Sequence, residues 1–377
     1  MSGRTQTRAN ENKKVFGYEP ALDGVRAVAV LFVMVGHLNL VYAGGLGVDI
    51  FFVLSGFLIT AILIAEFAVN RRIDLKKFYA RRALRILPAV ILLLLVLNVF
   101  ASITESRAQA ETLRWDSLGA LFYIANWLRA FGRDLGILGH LWSLSIEEQF
   151  YLLWPITLAF LLSRKWSANQ ILLVIGCLVV AVNADRICLY HGIESFNRIY
   201  NGLDTRADAL LVGCALALLS DRIVGNFVLP ALGVIGAVFI GYVLFLAYPV
   251  PANLQVPFGL TVGGTLFALG SAFFLAAIHS NPRAILVRWL GLPPLVWTGR
   301  ISYGLYLWHF PVFTVIGAGF PALPPMQSGT LKVLATFCCA TLSYYLLERP
   351  CLNLKRRFSV VKTPVPLTPN PLQPVDQ

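Results

Sequence analysis

Residues 46–68 read LGVDIFFVLSGFLITAILIAEFA, and this stretch decides the class of fold. A helix that crosses the hydrocarbon core of a bilayer needs about 20 consecutive, mainly apolar residues, and this run is long enough. The whole chain of 377 residues shares this character, since 57% of its residues are hydrophobic and 13% are charged. An average soluble domain has about 25% charged residues. The composition therefore excludes an ordinary soluble enzyme and predicts an all-α polytopic membrane protein.

Ten apolar runs are predicted to be transmembrane helices. They cover residues 22–42, 46–68, 86–104, 140–162, 168–184, 206–220, 226–248, 259–279, 296–318 and 330–349. A further apolar stretch, 117–131, is shorter than the ~20 residues of a span. It is expected to be a short re-entrant or interfacial helix, with an eleventh span as the alternative.

The basic residues orient the chain. Lys and Arg number 31 against 19 Asp and Glu, which gives a net charge of +12. With ten spans and a cytoplasmic N-terminus, about 21 of the 31 fall on the inner side. This is the positive-inside bias of membrane proteins, so both termini are predicted to be cytoplasmic and no nucleic-acid partner is needed to explain the charge. An eleventh span would place the basic residues at 164–165 and 355–357 outside, so ten is preferred.

Three regions are predicted: a basic cytoplasmic segment at 1–20, an integral membrane domain at 21–352, and a tail at 353–377. The tail is basic and then rich in proline, and it has little to bury, so we expect it to be disordered. The six cysteines lack the spacing of a Cys/His zinc site and lie mostly in apolar runs. We therefore expect neither a disulfide framework nor a metal.

Ionisable residues inside spans are costly, and each is therefore a candidate functional residue. Arg26 and His37 are eleven residues apart in the first span, about three helical turns, so they share one face about 16 Å apart along the axis. Asp49, at the outer end of the next span, is expected at the height of His37. A carboxylate beside an imidazole fixes its tautomer and stabilises the imidazolium. The structural alternatives are a snorkelling arginine, a hydrogen-bonded histidine and a carboxylate favoured by the helix dipole.

A polar stripe opens the run at 140–162. His140, Ser143, Glu147 and Tyr151 have helical spacing and are predicted to face inward together, whereas Glu148 points about a quarter turn away. Such a stripe on an apolar helix is expected to line a cavity, with Glu147 as the candidate for chemistry. The alternative is polar packing between helices.

A cationic face precedes the run at 86–104. Asp74 is predicted to cap a short helix that carries Lys77, Arg81, Arg82 and Arg85 on neighbouring positions. Arginine forks bind phosphate oxygens bidentately, so a nucleotide or coenzyme A would suit this face. Anchoring to anionic lipid is the alternative.

Aromatic and polar residues also open the run at 296–318. Tyr303, Tyr306 and His309 lie on a slowly drifting helical face, and Pro311 is expected to leave a backbone carbonyl exposed. An interfacial aromatic belt is the alternative reading. At the end of the last run, Glu348 and Arg349 are expected to pair with each other in a structural role.

Six motifs follow one another along the chain. They lie at 22–26 with His37 eleven residues after Arg26, at 47–57, 78–86, 140–151, 302–311 and 348–350. In this order they resemble the acyltransferase-3 family of integral membrane acyltransferases. That family includes O-acetyltransferases of cell-envelope polysaccharides and acyltransferases that modify antibiotics. The resemblance implies that Arg26 and His37 are essential and that Arg82 and Arg85 correspond to the family's arginine pair.

The resemblance further implies a function. The expected reaction moves an acyl group, by default acetyl, from cytoplasmic acyl-CoA to a hydroxyl of a cell-envelope glycan or lipid-linked sugar, in a bacterial inner membrane. Some family members carry an extra hydrolase-like domain of the SGNH type, which this sequence lacks, so one membrane domain is expected to accept and deliver the acyl group. A homo-oligomer is an open alternative.

The site residues follow from this reading. The CoA phosphates are expected to bind Arg26, Arg81, Arg82 and Arg85. Substrate contacts are expected from His140, Ser143, Tyr303, Tyr306 and His309. His37 is the expected general base, with Asp49 or Glu147 orienting it or holding the acceptor. The alternatives are a covalent acyl-histidine, O-acylation of a small metabolite such as a macrolide, and a transporter or flippase that uses the same residues as a proton relay.

Overall fold

The computed structural model describes residues 18–40, 45–192, 196–223 and 262–354. The predicted span at 226–248, most of the N-terminal segment and nearly all of the tail lie outside these ranges. Within them the chain is helical and contains no strand. The predicted all-α class is confirmed for this part of the molecule.

The helices are numbered here in chain order. The first six are α1 Pro20–His37, α2 Leu46–Asn70, α3 Leu75–Thr104, α4 Arg107–Leu121, α5 Ala125–Ala130 and α6 Trp142–Ser163. The next five are α7 Ala168–His191, α8 Phe196–Asn201, α9 Leu203–Ile223, α10 Gly264–Ser280 and α11 Ile285–Leu290. The last four are α12 Pro293–Arg300, α13 Ser302–Gly319, α14 Pro325–Ser343 and α15 Arg349–Leu354. A 3-10 turn, Gly136–Leu141, leads into α6, and a π-helical turn, Tyr344–Glu348, joins α14 to α15.

Five helical segments of the described chain are long and apolar enough to cross a bilayer: α1, α2, α3, α7 and the continuous stretch Pro325–Leu354. The pair α12 and α13, bent by 68° at its break, makes a sixth if it counts as one span. The predicted runs at 140–162, 206–220 and 259–279 are also helical, as α6, α9 and α10. By length and composition alone these three are not among the spans. The chain is an integral membrane protein.

Helix α3 differs from its prediction. It begins at Leu75 instead of residue 86 and runs through 30 residues, so the arginine face is part of the long helix and not a separate short one. The reason is that residues 75–87 contain no proline or glycine, so the helix continues without a break from the arginine face into the apolar run. The predicted cap at Asp74 is present, because its carboxylate accepts the backbone N–H of Lys77 at 3.0 Å. This hydrogen bond holds the pKa of the Asp74 carboxyl below its ordinary value.

The stretch 117–131 does not form one helix. Helix α4 begins earlier, at a capping box between Ser106 and Gln109, and ends at Leu121. Tyr123 then adopts a left-handed conformation with φ of 55°, which reverses the chain before the six-residue helix α5. Neither helix is among the candidate spans. The stretch is thus not one continuous helix long enough to cross a bilayer, as the shorter re-entrant or interfacial prediction requires.

Helices α2 and α9 pack closely through glycines. A Cβ atom on Gly56 would lie 2.0 Å from the carbonyl oxygen of Leu210, and one on Gly213 would lie 2.0 Å from that of Val53. Small residues let helix backbones approach in membranes, where packing replaces the hydrophobic effect as the main attraction. This contact fixes the position of α2, which carries Asp49 and Ser55 towards the rest of the site.

Candidate active site

A cavity of about 420 Å³ lies between α1, α2, α3, α6 and α13. Most of the predicted site residues line it. They are Arg26, Arg81, Arg82, Arg85, Ser143, Glu147, Tyr303 and Tyr306. Because these residues come from four helices that are far apart in sequence, the tertiary structure gathers one polar site from separate motifs.

Four arginines line the cavity, and three of them have carboxylate partners. Arg82 donates to Glu148 at 2.5 Å and lies 3.3 Å from the ring centre of Tyr151. The other two pairs are Arg81 with Glu66 at 3.3 Å and Arg26 with Asp23 at 2.9 Å.

Arg85 differs from these three arginines. It lines the cavity and makes no hydrogen bond or ion pair to any residue in the described ranges. A cation without a partner in a membrane protein interior is costly unless a ligand neutralises it. Arg85 is therefore the group best suited to receive an anionic ligand.

The two neighbouring carboxylates of α6 have separate surroundings. Glu147 lines the cavity and accepts hydrogen bonds from the hydroxyls of Ser55 and of Tyr151, the latter at 3.0 Å. Glu148 binds Arg82. The two carboxylates thus have different partners, and of the two only Glu147 lines the cavity.

Tyr306 forms the boundary between the cavity and three histidines. Its hydroxyl donates to the carbonyl of His140 at 2.7 Å, and the hydroxyl of Ser143 lies 2.6 Å away. The Tyr306 carbonyl accepts a hydrogen bond from Nδ1 of His309 at 2.6 Å. Tyr303, one turn earlier, donates to the carbonyl of Ile86 at 3.1 Å and ties α13 to α3.

The histidine cluster consists of His37, His140 and His309. Nδ1 of His37 lies 3.0 Å from the carbonyl oxygen of Val33 and 3.3 Å from Nε2 of His309. The rings of His140 and His309 are 5.4 Å apart between centroids. His37 is exposed, His140 and His309 are buried, and none of the three lines the cavity.

Pro311 explains how His140 is held. A proline has no backbone N–H, so the carbonyl four residues earlier, that of Leu307, lacks its helical partner. Nε2 of His140 fills this vacancy at 3.1 Å. The exposed carbonyl expected from the sequence is present, and a histidine binds it. Nδ1 of His140 has no hydrogen-bond partner among the residues that the structure describes.

Asp49 does not pair with His37 as its position in the sequence suggested. Its carboxylate binds Arg206 of α9 at 2.6 Å and is 4% exposed. The close packing of α2 against α9 brings these two side chains together. A second buried pair, Arg186 with Asp208 at 2.6 Å, ties α7 to α9. The charged residues within the apolar runs of α7 and α9 were the signal that could have indicated these pairs.

Glu348 and Arg349 have separate partners, so the expected pairing between them is wrong. Glu348 accepts a hydrogen bond from Ser343 at 3.0 Å, while the guanidinium of Arg349 lies 5.7 Å from the ring centre of Tyr345. The physical reason is that neighbouring residues on a helix point about 100° apart, so the two side chains face different groups.

No group of three or more His, Cys, Asp or Glu side chains in the described ranges is arranged to hold a metal ion. The fold and the site define an integral membrane protein with a cationic cavity next to a histidine cluster. The family model of an acyltransferase domain matches residues 19–349, and the chain belongs to this acyltransferase-3 family.

Two relatives illustrate the family. The chain is 37% identical over 353 residues to the peptidoglycan O-acetyltransferase OatA of Listeria monocytogenes, covering 88% of this chain and 56% of that protein. It is 34% identical over 349 residues to the O-acetyltransferase OatA of Staphylococcus aureus strain NCTC 8325, covering 88% and 57%. The chain thus spans a little over half the length of these relatives. No solved structure is significantly similar to it.

Proposed function

We propose that this protein moves an acetyl group from acetyl-CoA to a hydroxyl of a cell-envelope glycan. The observation that carries the proposal is the cavity itself. Its arginines include Arg85, which is unpaired within the described ranges, and Tyr306 lies at its boundary with the histidine cluster. The names of the relatives, as O-acetyltransferases and in one case a peptidoglycan O-acetyltransferase, favour the acetyl group and the glycan acceptor.

The arginines are proposed to bind the phosphates of the donor. Arg85 is the first contact, because it has no partner to give up among the residues that the structure describes. The other three, Arg26, Arg81 and Arg82, add positive potential while they stay bound to their carboxylates. The pantetheine arm then extends along the cavity towards Ser143, Tyr303 and Tyr306, and the Ser143–Tyr306 contact opens to let the thioester reach His37.

His37 is proposed to be the general base. Its Nε2 removes the proton from the acceptor hydroxyl, and the oxygen attacks the thioester carbonyl carbon. The new C–O bond forms, the C–S bond breaks, and the CoA thiolate takes the proton back from the imidazolium. General-base catalysis of this kind contributes about 10²- to 10⁴-fold in rate. Glu147, with Ser55 and Tyr151 bound to it, is proposed to hold the substrate in the cavity.

The reaction crosses the membrane in this proposal. Ten spans with both termini in the cytoplasm put the arginines at the inner side and His37 at the outer side of a bacterial inner membrane. The positive-inside distribution of Lys and Arg supports this topology. Acetyl-CoA then enters from the cytoplasm, and the glycan approaches from outside.

The test uses the full chain in nanodiscs with acetyl-labelled acetyl-CoA and a cell-wall glycan fragment. Binding of the donor and transfer of the label are measured separately for the wild type, Arg85→Gln and His37→Ala. Arg164→Ala is the matched control, because Arg164 is an exposed arginine outside the cavity.

We expect Arg85→Gln to weaken donor binding, His37→Ala to bind the donor without transferring the label, and Arg164→Ala to behave as wild type. A wild-type protein that neither binds nor consumes acetyl-CoA or longer acyl-CoAs contradicts the proposal.

A further inference from the structure

His309 is a buried residue that the reaction outlined above does not use. Its side chain is 0% exposed and does not line the cavity. Its Nε2 lies 3.3 Å from Nδ1 of His37, the expected base, although the two residues are 272 positions apart in sequence. The contact therefore depends entirely on the packing of α1 against α13.

The hydrogen bonds of the two rings determine where their protons lie. A backbone carbonyl can only accept, so Nδ1 of His309, at 2.6 Å from the carbonyl of Tyr306, must carry a proton. In the neutral ring this leaves Nε2 of His309 as an acceptor. Nδ1 of His37 then faces two acceptors, the Val33 carbonyl and Nε2 of His309, so it must be a donor. The lone pair of neutral His37 is consequently on Nε2.

We propose that His309 is a positioning residue that, together with the Val33 carbonyl, accepts the Nδ1 proton of His37 and so orients the ring with Nε2 free to act as the base. This inference rests on the proposed function, in which His37 is that base. In hydrolases that use histidine as a base, a carboxylate usually plays the orienting part. Here the carboxylate of Asp49 is bound by Arg206, and a neutral imidazole takes the orienting part.

The position of His309 is itself fixed by the wall of the cavity. The carbonyl of Tyr306 accepts the Nδ1 proton of His309. The hydroxyl of the same tyrosine contacts Ser143 and the carbonyl of His140. The orientation of the base is thus connected, through one residue, to the boundary that the thioester must pass. The connection consists of a few hydrogen bonds between uncharged groups, so it needs no buried charge.

Two variants of His309 separate positioning from mere packing. A glutamine amide reaches the place of Nε2, so His309→Gln can still offer an oxygen to His37. An asparagine amide reaches only the place of Nδ1, so His309→Asn keeps the bond to the Tyr306 carbonyl and removes the acceptor from His37. We expect His309→Gln to keep kcat within about 10-fold of wild type and His309→Asn to lower kcat about 100-fold. The KM for acetyl-CoA is expected to change in neither.

The tautomer of His37 is measured at the same time by ¹⁵N NMR of the ring nitrogens in nanodiscs, with His37→Ala to assign the signals. Nδ1 of His37 should be protonated in all three proteins, because the Val33 carbonyl accepts its proton in each. In His309→Asn, which removes the second acceptor, the ¹⁵N shift of Nδ1 should differ from that of the wild type and of His309→Gln. If the asparagine variant has the wild-type kcat and Nδ1 shift, the proposal is wrong, while transfer by the wild type still supports the proposed function. If the wild type transfers nothing, the proposed function fails and the Nδ1 shift alone tests the role of His309.

Discussion

The hydroxyls of Tyr306 and Ser143 lie 2.6 Å apart, and this contact joins α13 to α6 where the cavity meets the histidine cluster. The single proton of Tyr306 goes to the carbonyl of His140, so Ser143 is the donor in the contact. One tyrosine hydroxyl therefore connects the side of the site that holds the arginines with the side that holds His37.

Removing this hydroxyl should affect transfer more than folding. We expect Tyr306→Phe to lower acetyl transfer about 10-fold or more, because the ring keeps its packing while the wall loses two hydrogen bonds. Leaving the carbonyl of His140 unpaired should cost about 1–3 kcal/mol of stability. Tyr79→Phe is the matched control, since its hydroxyl also donates to a backbone carbonyl, that of Leu152, and Tyr79 does not line the cavity. Equal losses of transfer in both variants would contradict a special role for Tyr306.

Arg82 and Arg85 should respond differently to the same substitution. Arg85→Gln is expected to weaken acetyl-CoA binding about 10- to 100-fold with no loss of stability, because Arg85 has no partner in the described chain. Arg82→Gln leaves the buried carboxylate of Glu148 unpaired and should cost about 3–5 kcal/mol.

Thermal unfolding with and without acetyl-CoA separates the two effects. The double variant Arg82→Gln with Glu148→Gln should recover much of the stability that Arg82→Gln alone loses. A destabilised Arg85→Gln would show that Arg85 has a structural partner.

The buried pair of Asp49 and Arg206 is expected to support the fold. Asp49→Ala should reduce stability by about 3–5 kcal/mol, because Arg206 is then left charged and unpaired inside the protein. Replacing both residues together, as Asp49→Leu with Arg206→Met, should recover most of this loss. The measurement is thermal unfolding in nanodiscs, with transfer assayed on the folded fraction. A folded Asp49→Ala protein without transfer would instead assign Asp49 to the chemistry.

The close contact of α2 and α9 should be sensitive to one methyl group. Gly213→Ala is expected to destabilise the protein by about 1–3 kcal/mol, because its Cβ would lie 2.0 Å from the carbonyl of Val53. Gly176→Ala, in the middle of α7, has no atom within 4 Å of the new Cβ and should be neutral or stabilising. Unfolding temperatures of the two purified variants test this difference. Similar values would mean that α2 and α9 can move apart freely.

Much of this protein follows from its sequence by local rules. The length of an apolar run gives a helix, so the run at 46–68 became α2 at Leu46–Asn70. Helical spacing puts Ser143, Glu147 and Tyr151 on one face, and all three line the cavity. A proline removes a backbone donor, so a free carbonyl near Pro311 could be expected. Each of these features depends only on residues within a few turns of one helix.

The side-chain contacts between helices could be seen only in the tertiary structure. Periodicity gives the face of a helix but not the helix that this face meets, and so Asp49 was expected beside His37 and lies against Arg206 instead. For the same reason, no spacing in the sequence could place His309 beside His37, or show that Arg85 is the cavity arginine without a carboxylate in the described part of the chain. A helical membrane protein with polar faces on its helices could be predicted from sequence patterns. The packing of those faces, through close contacts of small residues and buried ion pairs, decided which groups act together.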